Sequence, residues 1–288
     1  MPSQPPILWV VATPIGNLGD LSDRAREVLF AVDVLLAEDT RKTGRLLHQC
    51  GISGPRLVSL FEHNEESRIK QVVSWLAQGR NVALVSSAGT PLMSDPGYRL
   101  VRACRQAGFR VSPVPGPSAP MAALMASGLP PYPFVFLGFM PRKSGEKRRL
   151  FGDFLFARAT LVFFERVSRL ADTLHDAYSI LGHRQVCLAR ELTKKHEEFI
   201  FGTLGSDQED LTHLMGEVTV LIAPPNKDAG STEEKEVVRV MRSLCHSGDG
   251  AKAVVERTIP LVCGWGKKAL YDLFLREVRK KGKGSEDS

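Results

Sequence analysis

The 288-residue chain is 43% hydrophobic and 24% charged, with a formal net charge of +6. That composition excludes a disordered or fibrous chain; the length suits two globular domains with a small appendage, and the mild basicity suits a polyanionic partner without requiring one. Five scattered cysteines (Cys50, Cys104, Cys187, Cys245 and Cys263) without CxxC spacing argue against a disulfide framework or a zinc site and for reduced thiols in a cytoplasmic protein.

Met1 to Pro6 lacks a basic segment and the apolar run behind it ends by Ala12, so neither a signal peptide nor a membrane anchor is expected; no later run is long enough to cross a bilayer. Ile7 to Thr13 reads as a buried strand closed by the turn Pro14 to Asp20, and a helix with Leu21, Ala25, Val28 and Leu29 on one face follows. Val34 to Ala37 is a second short strand, ending in Glu38-Asp39-Thr40-Arg41. From Glu65 to Gln78, Ile69, Val72, Val73, Leu76 and Ala77 share a helical face, and Gly79 can end the helix. Val82 to Val85 reads as a buried parallel strand that stops at Ser86 to Gly97, a stretch rich in Gly, Pro, Ser and Thr. A helix near Tyr98 to Ala107 and a strand from Phe109 to Val114 lead to Pro115-Gly116-Pro117-Ser118, where Ser118 is a plausible N-cap for a helix from Ala119 to Ala126. Strands alternating with helices imply a mostly parallel sheet.

The second half has another texture. Phe134 to Phe139, Thr160 to Glu165, Gln185 to Glu191, Glu198 to Leu204 and Glu217 to Ala223 read as strands, with only some separated by helices and a hairpin over Glu191 to Gly202, so this sheet is expected to be mixed. Pro224 to Ser231 reads as a linker. Beyond it, Val237, Val238, Met241, Leu244, Leu270, Leu273, Phe274 and Val278 suggest a helical appendage ending in a frayed basic tail at Lys280 to Gly284. The expected division is an α/β domain over 1–117, a second α/β domain over 118–225 and the appendage over 232–288.

Glycine- and proline-marked turns follow three strands of the first domain, at Pro14 to Asp20, Ser86 to Gly97 and Pro115 to Ser118. If the strands are neighbours, the turns gather at the carboxyl edge of the sheet, where open α/β folds bind ligands. None matches GxGxxG or the Walker pattern, so nicotinamide and P-loop readings lack support. Structural turns remain the alternative. Glu38-Asp39-Thr40-Arg41 offers a base or an orienting charge at a strand end, or a self-paired surface cluster. His63, within Glu62-His63-Asn64-Glu65, is either a base or a capping residue. Pro141 to Arg149 holds five basic residues against one acid, which suits phosphate contact as well as a solvated loop.

Seven motifs in fixed order resemble one family. They are Thr13-Pro14-Ile15-Gly16-Asn17-Leu18-Gly19-Asp20, Ala37-Glu38-Asp39-Thr40-Arg41, Glu62-His63-Asn64-Glu65, Ala88-Gly89-Thr90-Pro91, Ser94-Asp95-Pro96-Gly97-Tyr98-Arg99, Pro115-Gly116-Pro117-Ser118-Ala119 and Ala189-Arg190-Glu191-Leu192-Thr193-Lys194. The family is the bacterial 16S ribosomal RNA (cytidine 2′-O)-methyltransferases, which have the tetrapyrrole-methylase fold. The resemblance implies two α/β domains with S-adenosylmethionine between them, commonly in a homodimer, and methylation of a cytidine ribose in the decoding region of the small ribosomal subunit. By motif match, Pro14, Gly16, Ser87, Ala88, Gly89, Thr90, Pro117, Ser118 and Ala119 would line the cofactor site. Glu38, Asp39 and His63 are the candidates for proton removal, and Arg41, Arg142, Lys143, Lys147, Arg148 and Arg149 for RNA phosphates. Two departures stand out: the family usually has Asp where this chain has Ser87, and Ser-Pro-His where it has Arg166-Val167-Ser168. A small-molecule methylase of the same fold and a non-catalytic ribosome-binding relative are the competing readings.

Overall fold

The computed structural model of the chain describes residues 5–206, 216–225, 232–246, 249–262 and 264–278. Strands β1 (Ile7–Val11), β2 (Val34–Ala37), β3 (Arg56–Ser59), β4 (Val82–Val85) and β5 (Arg110–Val114) form a wholly parallel sheet in the order β3-β2-β4-β1-β5. The central strands are short and apolar throughout because helices cover both faces. Leu36 and Leu84 point to the side packed by α3 (Glu65–Ala77) and α4 (Tyr98–Gln106), against Leu76 and Leu100. Leu35, Ala37, Ala83 and Val85 point to the side packed by α1 (Asp23–Ala31) and α2 (Thr40–Gln49), against Leu29 and Leu47. β4 and β5 flank β1, so the three strands that carry the Pro14, Ser86 and Pro115 turns are indeed neighbours.

The second sheet contains β6 (Phe134–Phe139), β7 (Thr160–Arg166), β8 (Gln185–Arg190), β9 (Glu198–Thr203) and β10 (Glu217–Ile222), in the order β6-β7-β10-β8-β9. Only β6 and β7 run parallel; the sheet is mixed, as its alternating texture implied. Helix α5 (Ala119–Ala126) covers one face, where Ile15 of the first domain joins its packing, and α6 (Ser144–Asp153) and α7 (Val167–Leu181) cover the other. Ser118 takes the backbone position of an N-cap to α5 but makes no side-chain capping bond, leaving its hydroxyl uncommitted to the helix.

The basic run read as a loop is helical. Within α6, Lys147 is 4% exposed, and its Nζ lies 2.9 Å from Asp176 and 3.2 Å from Thr173, both on α7. Ser144 and Arg148 also bond Asp176, while Glu165 at the end of β7 takes Thr173 and Arg169. Lys147, Glu165 and Asp176 are buried but each is paired, which is the condition under which charge is tolerated inside a fold.

Helices α8 (Glu234–Leu244), α9 (Ala251–Thr258) and α10 (Lys267–Leu273) form the appendage around Val237, Met241, Leu270 and Phe274. It docks through Arg239, whose guanidinium donates to Ser179 and Ile180 carbonyls at 2.8 and 2.9 Å and so caps the carboxyl end of α7. Residues 226–231 of the expected linker, the tail from 279 and Cys263 lie outside the described residues. Among the described residues Cys50, Cys104, Cys187 and Cys245 are free thiols, and no helix is long and apolar enough to cross a membrane. Burial pushes the Cys104 and Cys187 thiols up to about 11.

Candidate functional site

The three turns meet through backbone bonds. Thr13 and Gly89 exchange N–H···O bonds of 2.9 and 3.0 Å, Ala12 donates to Val114 at 3.1 Å, and Thr90 Oγ1 donates to Pro117 at 3.0 Å. Gly89 has φ +80°, and a Cβ there would stand 3.1 Å from Ile15; Gly116 would meet Ala12 at the same distance. The positive φ of Gly89 favours glycine, and both side-chain contacts are tight enough that a larger residue would have to push its neighbour aside. Gly89 and Thr90 of this junction line a cavity of about 800 Å³. The first domain contributes Glu38, Ser87 to Thr90 and Asp95; the second contributes Ala119, Phe164, Arg166 and Glu191.

Of the residues expected to hold a cofactor, Ser87, Ala88, Gly89, Thr90, Ser118 and Ala119 line the cavity. Pro14, Gly16 and Pro117 do not. Pro117 acts through its carbonyl, and Gly16 acts between the domains: a Cβ there would lie 2.7 Å from the Leu192 carbonyl and 2.8 Å from Thr193 Oγ1. The facing segment is itself strained, with Glu191 at φ 49° and Thr193 at φ 64°.

The three candidate bases separate. Glu38 is exposed at the cavity edge and accepts a hydrogen bond of 3.2 Å from Ser87 Oγ. Asp39 is occupied by α2: its Oδ1 accepts the Arg41 and Lys42 N–H groups at 2.9 and 3.2 Å, and these bonds hold its carboxyl below the usual range. His63 sits exposed in a short turn and lines neither the cavity nor the hollow beside it. The other polar members of its motif are structural. Asn64 fastens Phe61 N–H and the Ser59 carbonyl, and the buried Glu65 accepts Leu100 N–H at 3.1 Å, supplying the cap that Gly97 cannot give α4.

Asp95 is the carboxylate the sequence reading passed over. It lines the cavity, no hydrogen bond reaches it among the described residues, and burial followed by the charge of Glu38 raises it to about 6. Its loop holds Leu92 at φ 70° and Ser94 at φ 74°, strain of the kind found in ligand loops.

Beside the cavity, and sharing Glu38, Lys42 and Ser87 with it, an open hollow of about 450 Å³ is bordered by Arg41 and Phe61. Of the cations assigned to RNA, Arg41, Arg142, Lys143 and Arg149 are exposed. Arg148 is half-exposed with Nε on Asp176. Lys147 has no face to offer a phosphate, because its ammonium is spent inside the second domain; that assignment is corrected. Lys42, Arg166 and Lys194 stand on the cavity wall instead.

Residues 8–206 match the family model of the tetrapyrrole (corrin/porphyrin) methylases. Three relatives named ribosomal RNA small subunit methyltransferase I are similar over nearly their full length. The Escherichia coli O157:H7 protein is 47% identical, over 94% of this chain and 95% of that one. The Neisseria meningitidis serogroup B protein is 42% identical over 93% and 92%, and the Bacillus subtilis protein 40% identical over 93% and 94%. Among solved structures, a uroporphyrin-III-C-methyltransferase from Thermus thermophilus superposes with a TM-score of 0.54 at 20% identity, covering 75% of this chain and 94% of that one. A diphthine synthase does so with a TM-score of 0.60 at 15% identity, covering 75% and 89%. These two show the fold.

Proposed function

We propose that this chain, which belongs to the tetrapyrrole (corrin/porphyrin) methylase family and within it to the ribosomal RNA small subunit methyltransferase I proteins, transfers a methyl group from S-adenosylmethionine to the ribose 2′-hydroxyl of a cytidine in the decoding region of 16S ribosomal RNA. The observation that carries the reading is the cavity at the carboxyl edge of the parallel sheet, walled by both domains.

The site suits the cofactor on two counts. Its volume of about 800 Å³ lies within the usual range for small-molecule sites, roughly 300–1,000 Å³. Four carboxylates and three cations stand on its wall; Glu38, Glu191 and Glu217 are engaged by Ser87, Lys194 and Arg166, which leaves Asp95 to meet a positively charged ligand. S-adenosylmethionine, when bound, supplies a methyl group on a sulfonium, ready for in-line displacement.

The chain then has three tasks. The segment Ser87 to Thr90, with Ser118 and Ala119, cradles the cofactor and Asp95 faces its positive charge. Glu38, where cavity and hollow meet, takes the hydroxyl proton as the ribose oxygen bonds to the methyl carbon. Arg41, Arg142, Lys143, Arg149 and the outward part of Arg148 hold phosphates. The working form is a homodimer, and ribosomal RNA as substrate puts the reaction in the cytoplasm. Ser87 gives Glu38 a hydrogen bond where the family carries a second carboxylate, so the departure rearranges the site without emptying it.

Calorimetry with S-adenosylmethionine and ribose-methylation mapping of small-subunit RNA from a strain lacking the gene test the proposal. Saturable binding and an unmodified cytidine are expected. A chain that ignores millimolar cofactor, or a strain whose cytidine modification is intact, would overturn it.

A further inference from the structure

Phe61 is 41% exposed, yet its surroundings are charged. It stands on the wall of the outer hollow with Glu38, Arg41, Lys42 and Ser87. Its place is not accidental to the backbone: Phe61 N–H is held by Asn64 Oδ1 at 2.9 Å, and Asn64 in turn bonds the Ser59 carbonyl at 3.2 Å, so the ring projects from a fastened turn. The ring belongs to none of the hydrophobic clusters of the first domain. An apolar ring left outside the core, in a hollow otherwise lined by the carboxylates Glu38 and Asp39, the cations Arg41 and Lys42 and the hydroxyls of Thr40 and Ser87, lacks a packing explanation.

We propose that this hollow is the acceptor subsite, in which the Phe61 ring stacks on the base of the target pyrimidine nucleotide while Arg41 and Lys42 hold its flanking phosphates. The assignment rests on RNA being the methyl acceptor. Every base offers a π-face to an aromatic side chain, and cations beside the ring supply the phosphate contacts that single-stranded nucleic acid needs. Arg41 is free for this, its side chain 91% exposed and its carboxylate neighbour Asp39 4.0 Å away and engaged with backbone. The hollow shares Glu38, Lys42 and Ser87 with the neighbouring cavity. A nucleotide stacked on Phe61 therefore has its ribose next to the group that accepts the proton.

The experiment compares wild type with Phe61→Ala, Phe61→Tyr and Phe61→Trp. Small subunits from a strain lacking the enzyme serve as methyl acceptor, and a short single-stranded RNA of the target sequence serves for direct binding. Phe61→Ala should raise KM for RNA and weaken oligonucleotide binding roughly tenfold to a hundredfold, the range for loss of one stacked base. Cofactor affinity and thermal midpoint should not move, since the ring supports no core, and Phe61→Tyr should restore binding. Phe61→Trp emission should be quenched by the oligonucleotide relative to wild type. RNA affinity and KM unchanged within twofold in Phe61→Ala, or tryptophan emission indifferent to saturating RNA, would overturn the subsite. Quenching and weakened binding with the methyl group found elsewhere than the cytidine ribose would keep the subsite and reject the reaction proposed above.

Discussion

Ser87 donates its hydroxyl to Glu38 Oε2 at 3.2 Å, tying the end of β4 to the end of β2 where the cofactor cavity meets the outer hollow. A neutral donor thus orients Glu38, and on the proposed reading its carboxylate faces the acceptor hydroxyl. Glu38→Gln should lower kcat by about 10²-fold or more, the usual contribution of a positioned base. Calorimetry on the same variant should show cofactor affinity within a few-fold of wild type. An unchanged kcat would remove Glu38 from proton transfer.

Asp95 gives a pH dependence with a definite sign. Burial, then the Glu38 charge, raises its carboxyl from 3.8 to about 6. A cationic ligand favours the ionised form, so cofactor binding should tighten as pH rises through about 6 and level off above it. Asp95→Asn should abolish that dependence and weaken binding about tenfold or more at neutral pH. Stability runs the other way. The folded state holds this proton more tightly than the unfolded chain, so the contribution is fully present below about 4 and is lost as pH rises through about 6. Asp95→Asn should therefore be more stable than wild type at neutral pH, by about 1 kcal/mol once solvent screening is allowed for, and equal to it in acid. Paired denaturant titrations at the two pH values check this.

Lys147 should behave as a core residue. Burial pushes the Asp176 carboxyl up, but bonds from Lys147, Ser144 and Arg148 outweigh it and hold the group at about 2. Removing the lysine leaves a buried carboxylate short of a partner, a loss of about 3–5 kcal/mol. Lys147→Ala should lower the urea midpoint strongly. The stability supplied by Asp176 is present above about 4 and disappears as pH falls through about 2, so the difference from wild type should shrink in acid.

The exposed members of the same basic run should show the opposite pattern. Changing Arg142, Lys143 and Arg149 together to Ala should leave the midpoint unmoved and reduce the slope of log affinity for RNA against log salt by about 2 for single-stranded contacts. An unaltered slope would take α6 off the RNA surface.

Much of the fold was legible because burial leaves a mark in the sequence. Val82 to Val85 and Val34 to Ala37 are apolar at every position since both faces of their sheet are covered. Two neighbouring elements left no such mark. Helix α2 buries only Thr43 and Leu47, and β3 lies at the sheet edge with one buried residue, Val58. Helix α6 was hidden by its own charges, because Lys147 inside the domain and Arg149 outside it look alike until Asp176 is found on another helix. The site divides similarly. Its turns are written in glycine and proline, which answer to local backbone. Asp95 lies within one of those turns, but its burial beside Glu38, like the place of Phe61 in the outer hollow, comes from what surrounds it in three dimensions.

Beneath Gly89 of the cavity wall, Thr13, Ala12 and Val114 join the neighbouring strand ends through main-chain groups alone. Such a junction has the same donors and acceptors whichever side chains stand on it, provided the close contacts at Gly89 and Gly116 are kept. The side chains at the edge of the cavity, Ser87 and Glu38 among them, can therefore be exchanged without disturbing the main-chain junction on which the two neighbouring turns rest.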